Sequence, residues 1–225
     1  ILFTSCATES NNTAIFGAGA ANPERRHVIT TAVEHPAVHN LARELERRGL
    51  EVDILPVDDQ GRLDVADFVR ALRPDTLLVS VMHANNETGV VFPVAELARL
   101  AKETDPAIIV HTDATQTVGK LPVDLEGELA GVDLLSFSGH KLHAPKGVGA
   151  LYLRRGTRCR PFLMGGHQEA GRRAGTENVA FVVGLARALE LAVTHHEEDD
   201  RRVRALRDRL EDELVARIPY VQVNG

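Results

Sequence analysis

Short apolar runs closed by polar residues alternate along this chain with stretches in which apolar residues return every three or four positions. Runs over 1–5, 27–31, 51–57, 76–82, 108–113, 134–138 and 149–153 predict β-strands. Between them, 36–48 carries Val38, Leu41, Ala42 and Leu45 at helical spacing, begins at Pro36 and stops before Gly49. Stretches 65–72 and 94–103 follow the same rule, and a helix is expected from Ser10 onward. Strand–helix alternation of this kind predicts an α/β fold of three layers, α/β/α, around a mostly parallel seven-stranded sheet. The tight turn Lys146-Gly147-Val148-Gly149 predicts that the last strand adds antiparallel.

From Glu177 to Arg217 strand signals are missing. Val182, Leu185, Leu189 and Val193 form one apolar stripe, and Val203, Leu206, Leu210 and Leu214 form another. The acidic run between them, 195–200, marks either a solvated face or a break. The chain opens on an apolar strand and closes on Val221-Gln222-Val223-Asn224-Gly225, which reads as a strand or turn cut short. A longer parent is therefore expected, with residues 1–217 as a large domain and 218–225 as the start of a second, smaller one.

Composition narrows this picture. Hydrophobic residues make up 44% of the 225 positions, enough for a sizeable core. The net charge of −6 and the lack of a basic block argue against nucleic acid as the main partner. No membrane span is expected, because no uninterrupted apolar run approaches ~20 residues. Cys6 and Cys159 give no disulfide framework, so a reducing cytoplasm is expected. The ten histidines are scattered without a clear ligand set.

Polar clusters follow the predicted strands, where ligands bind in open α/β sheets. Thr4-Ser5-Cys6-Ala7-Thr8-Glu9 precedes a helix, and amides at that helix start together with the Thr8 hydroxyl suit a phosphate. An ordinary N-cap by Thr8 or Ser10 explains the same residues. In Glu34-His35-Pro36, the imidazole can stack on a flat ring and carry protons, or simply face solvent. His83-Ala84-Asn85-Asn86-Glu87-Thr88-Gly89 offers side-chain amides to a phenolate oxygen, or forms an asparagine-glycine turn. Asp113 ends a buried strand, which is costly unless it is paired or caps the next turn. Gln116 lies close behind it. Lys141, in Ser138-Gly139-His140-Lys141, is either a snorkelling surface lysine or a nucleophilic amine. A lysine and an aspartate closing two such strands suit pyridoxal phosphate: the amine condenses with the aldehyde, and the carboxylate keeps the ring nitrogen protonated. The glycine-rich basic stretch from Gly165 to Asn178 meets a phosphate or a partner subunit, or is a connector.

Taken together, Thr8-Glu9, Glu34-His35-Pro36-Ala37-Val38, Asn85 to Gly89, Asp113-Ala114-Thr115-Gln116, Ser138 to Lys141 and Arg173-Ala174-Gly175-Thr176-Glu177-Asn178 resemble the cysteine desulfurases. These are class V aminotransferase-like enzymes of the fold-type I pyridoxal phosphate group. The stretches His140 to Gly149 and Gly165 to Glu169 are most similar to the nitrogen-fixation type. The resemblance runs in order along nearly the whole chain. It implies the large domain of that fold, with pyridoxal 5'-phosphate as cofactor. It further implies Lys141 as the lysine bonded to the cofactor and Asp113 as the partner of the pyridine nitrogen. His35 is implied as ring-stacking and catalytic, and Gln116 and Asn86 as contacts on the ring-oxygen and substrate side. Ala7, Thr8, Ser138 and His140 are implied at the phosphate, with Thr176 reaching the phosphate of the other subunit of a homodimer. The implied activity converts L-cysteine to L-alanine and passes sulfur to an acceptor scaffold for iron–sulfur cluster assembly.

The resemblance has departures. The family's amino-terminal segment is missing from the match. So is its carboxyl-terminal part, with the substrate-carboxylate arginine and the persulfide-forming cysteine. Neither Cys6 nor Cys159 occupies that position, so this chain alone is expected not to transfer sulfur. Arg158 and Arg160 flank Cys159 and are expected to lower its pKa. Another class V activity, such as a selenocysteine lyase or an aminotransferase, and a non-catalytic scaffold of the same fold are the alternatives.

Overall fold

The computed structural model describes all residues, Ile1–Gly225. The strands are β1 (Leu2–Thr4), β2 (His27–Thr31), β3 (Glu51–Leu55), β4 (Thr76–Ser80), β5 (Ile109–Asp113), β6 (Leu134–Ser138) and β7 (Gly149–Leu153). The helices are α1 (Ala7–Ala21), α2 (Pro36–Arg47), α3 (Val65–Ala71), α4 (Val94–Thr104), the distorted single turn α5 (Gln168–Gly171) and α6 (Val179–Arg217). All strands join one seven-stranded sheet in the order β1-β7-β6-β5-β4-β2-β3. The pairings β2–β3, β2–β4, β4–β5 and β5–β6 are parallel; only β7 runs against its neighbours, pairing antiparallel with β6 and β1. The fold is thus the three-layer, mostly parallel α/β architecture that the sequence predicts.

Alternation along the strands builds the two outer layers. Val28, Leu78, Ile109, Leu134 and Leu151 point to one side, where Ala14, Ile15, Ala18, Val38, Leu41 and Leu45 of α1 and α2 close over them. Their neighbours Ile29, Val79, Val110, Leu135 and Ala150 point to the other side, against Phe68, Val94, Leu97, Ala101 and Leu185. Both faces are covered, as parallel sheets require. Each fully buried large side chain contributes roughly 1.5–3 kcal/mol relative to leaving it in water.

The structure departs from the sequence expectation at two places and decides an alternative that the sequence left open. The first helix starts at Ala7 rather than Ser10, because small residues bury it on several sides and erase the apolar–polar contrast. The acidic run 195–200 is a solvated face and not a break, since α6 continues through it to Arg217. Residues 221–225 form neither strand nor helix. By length and composition alone, α6 also reaches the measure for a membrane span, which the sequence reading did not expect. In this fold Leu185 of α6 is buried, with Val182, Ala188 and Leu189 packed around it against the sheet core.

Candidate active site

The parallel strands release their chains at one edge of the sheet, and the polar clusters of the sequence gather there. Cys6, Ala7, Thr8, His35, Asn86, Asp113, Gln116, Ser138, His140 and Lys141 line one cavity of about 260 Å³, with Ala37, Met82, Ala84 and Thr115 completing the wall. Of the site residues expected from sequence, only Thr176 lies elsewhere. It is exposed in the loop before α6 and lines a smaller hollow with Phe3, Ser5, Gly147, Arg173 and Asn178.

The anion end of the cavity is the start of α1. Cys6 is the N-cap in extended conformation, and no side chain caps the helix. Neither Thr8 nor Ser10 therefore acts as the ordinary cap. The Ser10 hydroxyl lies 2.8 Å from that of Thr4 instead. The first-turn amides are left to face the cavity, where the helix dipole favours negative charge. Gly149 makes this placement possible: a Cβ there would stand 2.8 Å from the carbonyl carbon of Cys6 and 2.7 Å from the Phe137 carbonyl oxygen. Ser138 Oγ lies 2.8 Å from Nδ1 of His140, so these side chains close the same end. A charge pair stands behind the start of α1. Arg173 donates to Glu9 at 2.8 Å from Nε and 3.2 Å from an Nη, while the Ser5 amide donates to Glu9 at 2.8 Å. The Arg173 and Ser5 bonds hold the Glu9 carboxyl below its usual range despite its partial burial.

Asp113 closes β5 and is 6% exposed. Its partners are neutral: Asn11 Nδ2 donates to one oxygen at 2.8 Å, and the Thr115 amide to the other at 3.0 Å. The carboxylate thus caps the following turn and also presents an uncompensated negative charge to the cavity. Buried Asn11 Oδ1 and Thr115 Oγ1 have no hydrogen-bond partner. Asn11 was missed by the sequence reading, since nothing local marks a mid-helix asparagine as the partner of a residue on a distant strand. His111, two residues before Asp113, is fully buried between Ser80 Oγ at 2.8 Å and Ser136 Oγ at 3.0 Å. Burial pushes its pKa down to about 4, so the ring is neutral.

Lys141 sits on a 3-10 turn, Gly139–Leu142, that leaves β6 and ends at His143 in left-handed conformation, φ 64°. Lys141 is exposed there and lines the cavity. His35 caps α2, accepting from the Ala37 amide through Nδ1 at 3.1 Å, which leaves Nε2 unengaged at the cavity. Asn85 and Asn86 divide their work. Asn85 is buried; its Oδ1 accepts from the Glu87 and Thr88 amides at 2.9 Å, and its Nδ2 donates to the Val33 carbonyl at 3.0 Å. Asn86 is left free to line the cavity. One cavity therefore brings together an uncapped helix start that suits an anion, a buried carboxylate that suits a cationic N–H, and a primary amine.

Cys159 departs from expectation. Its Sγ packs against the Thr13 carbonyl at 3.5 Å, and burial pushes the thiol up to about 11, outweighing the nearby charge of Arg172. The flanking arginines do not lower it.

Comparison with known proteins agrees with this geometry. The aminotransferase class-V family model matches residues 1–225. The chain is 56% identical, over its whole length, to cysteine desulfurase NifS of Azotobacter vinelandii, of which the match covers 55%. A solved structure described as a NifS-like protein superposes with a TM-score of 0.92 at 42% identity, covering 96% of this chain and 59% of that one. Another, SspA in complex with cysteine, gives a TM-score of 0.78 at 40% identity over 84% of this chain and 54% of that one. The chain thus spans little more than half the length of the curated relatives it matches. With its full length matched by the family model and its strand-end cavity intact, the chain belongs to the aminotransferase class-V family.

Proposed function

We propose that this chain is the cofactor-binding large domain of a pyridoxal phosphate-dependent cysteine desulfurase, which converts L-cysteine to L-alanine and hands the sulfur to an acceptor scaffold for iron–sulfur cluster assembly. The observation that carries the reading is that Lys141, Asp113 and the uncapped start of α1 share one cavity. Pyridoxal phosphate fits this donor set. A buried carboxylate held only by neutral donors suits a ring N–H, and an uncapped helix start suits a phosphate. When bound, that cofactor supplies an aldehyde and an electron-accepting ring.

The chain's own residues then divide the work. Ala7 and Thr8, with Ser138 and His140, hold the phosphate. Asp113 keeps the proton on the ring nitrogen, and Asn11 fixes the carboxylate's orientation from behind. His35 covers the ring face, and its Nε2 is available at the substrate side. Asn86 and Gln116 orient the substrate and the ring oxygen. Lys141 Nζ would condense with the cofactor's aldehyde and, only when released again as the free amine, would take and return the proton at the substrate Cα. Thr176, outside the cavity, is assigned to the phosphate of a second copy in a homodimer.

Borohydride reduction of the purified chain with pyridoxal phosphate, followed by mass spectrometry, tests the reading. The cofactor mass is expected on Lys141 and is expected to vanish in Lys141→Ala. Asp113→Asn is expected to retain the adduct yet lose the activity of any protein containing this domain. Reduction that fixes the cofactor elsewhere in Lys141→Ala would sink the assignment.

A further inference from the structure

Glu34 is a buried acid for which the cofactor contacts give no use. It stands between β2 and His35 and is 7% exposed. Its Oε1 accepts from the Met82 amide at 2.7 Å and from the Thr31 hydroxyl at 3.0 Å. Its Oε2 is buried with no partner. Met82 lines the cavity and starts the stretch that carries Asn86, while His35 lines it directly after Glu34. This one side chain therefore ties the exit of β2 to the exit of β4 at the cavity wall. The Asn85 bond to the Val33 carbonyl makes a second tie between the same loops.

We propose that Glu34 acts as an uncharged carboxylic acid, a positioning residue that sets His35 and the Met82–Asn86 stretch against the bound cofactor. The groups facing it are the neutral donors Thr31 and Met82 and the negative Asp113 at the end of β5; no cation bears on it. Burial and Asp113 push its pKa from the ordinary 4.5 up to about 8. Held neutral, it leaves Asp113 as the single negative carboxylate at the ring nitrogen's seat. It also keeps an O–H in place of a buried second charge. The proposal rests on the cofactor reading above, and its test is arranged to separate the two.

The first arm uses no cofactor: thermal unfolding of the purified chain and of Glu34→Gln between pH 5 and 9. A carboxyl whose folded pKa is raised binds more protons folded than unfolded between about 4.5 and 8. Its contribution is fully present below 4.5 and is lost as pH rises through about 8. Glutamine keeps the acceptor and the shape without titrating. The variant should match wild type near pH 5 and gain Tm over it toward pH 8. Taking the difference between the two proteins removes the contribution of the buried histidines His27, His83 and His111. Parallel curves, or a variant less stable at pH 8, would overturn the neutral acid.

The second arm measures pyridoxal phosphate affinity at pH 7. Glu34→Gln should bind within about twofold of wild type. Glu34→Ala, which unties the loops, should bind at least tenfold more weakly. Circular dichroism checks that Glu34→Ala is folded; if it is not, Glu34→Asp, one methylene short, replaces it with the same expected weakening. A folded loop-untying variant with wild-type affinity refutes the positioning role. If wild type itself binds no cofactor, the functional reading fails while the first arm still judges Glu34.

Discussion

Asn11 Nδ2 donates to Asp113 Oδ2 at 2.8 Å, joining the second turn of α1 to the last residue of β5. The bond links the helix start proposed to receive an anion to the carboxylate proposed to receive a cation. It fixes the distance between the two ends of the cavity. Asn11→Ala removes a buried donor from a buried carboxylate, at a cost of roughly 1–3 kcal/mol. The expected outcome is a Tm lower by several degrees and weaker pyridoxal phosphate binding. Asn11→Asp should be worse than Asn11→Ala at pH 8 and closer to it at pH 5, because it sets two carboxylates side by side. Denaturant melts at the two pH values measure this. An Asn11→Asp protein equal to wild type at both would show that the bond does not set the site.

Arg173 and Glu9 form the next layer behind the cradle. The pair is only 19% and 10% exposed, and its geometry is two-pronged. Glu9 suits the first turn of α1 and holds the Ser5 amide, yet unpaired it would repel a phosphate at the same helix start. Arg173→Ala is therefore expected to weaken pyridoxal phosphate binding about tenfold, roughly 1.4 kcal/mol. The cost in stability should be smaller, roughly 1 kcal/mol, since the pair is partly solvated. Glu9→Gln in the Arg173→Ala background should recover part of the affinity by removing the stranded charge. Fluorescence titration with the cofactor reads all three proteins. No recovery in the double variant would mean that Arg173 acts by holding the loop rather than by balancing charge.

What the sequence reveals and what it conceals follow from how local each signal is. The strands over 27–31, 134–138 and 149–153 match the structure at both ends, because each is a short stretch built around buried apolar or β-branched residues. Asp113 and Lys141 were readable from the same pattern: Asp113 ends β5 and Lys141 lies in the turn that leaves β6, at the open edge of a parallel sheet where polar residues converge. Glu34 and Asn11 were not readable. Glu34 folds back under Met82, which lies 48 positions away, and Asn11 meets a partner 102 positions away. Only the strand order brings these residues together. Helix α1 hid its start for a different reason, being built of alanine, serine, threonine, asparagine and glycine packed on several sides. Thr176 carries a motif signal that pointed to a second subunit, and in the structure it lies outside this chain's own cavity.

Cys159 provides a last test, because there the fold overrides the local charge. The sequence places arginines on both sides of the thiol, and an electropositive surround normally favours thiolate. In the fold the sulfur is tucked against α1, near the Thr13 carbonyl and directly over Gly17. A Cβ on Gly17 would stand 2.5 Å from both Cys159 Sγ and the Arg160 carbonyl oxygen. The Arg160 amide donates to the Gly17 carbonyl at 3.0 Å and holds the segment down. With the thiol at about 11, the thiolate fraction at pH 8 is roughly one in a thousand. The greater nucleophilicity of a high-pKa thiolate offsets only part of that loss. Iodoacetamide at pH 8 should therefore modify Cys159 at least tenfold more slowly in the native chain than in urea, as read by peptide mass spectrometry. Gly17→Ala, which cannot keep the close approach, should lift the segment and raise the native rate toward the denatured one. Equal rates for the native and unfolded chain would show that the sulfur is not sheltered by α1, and Cys159 would return as a candidate reactive thiol.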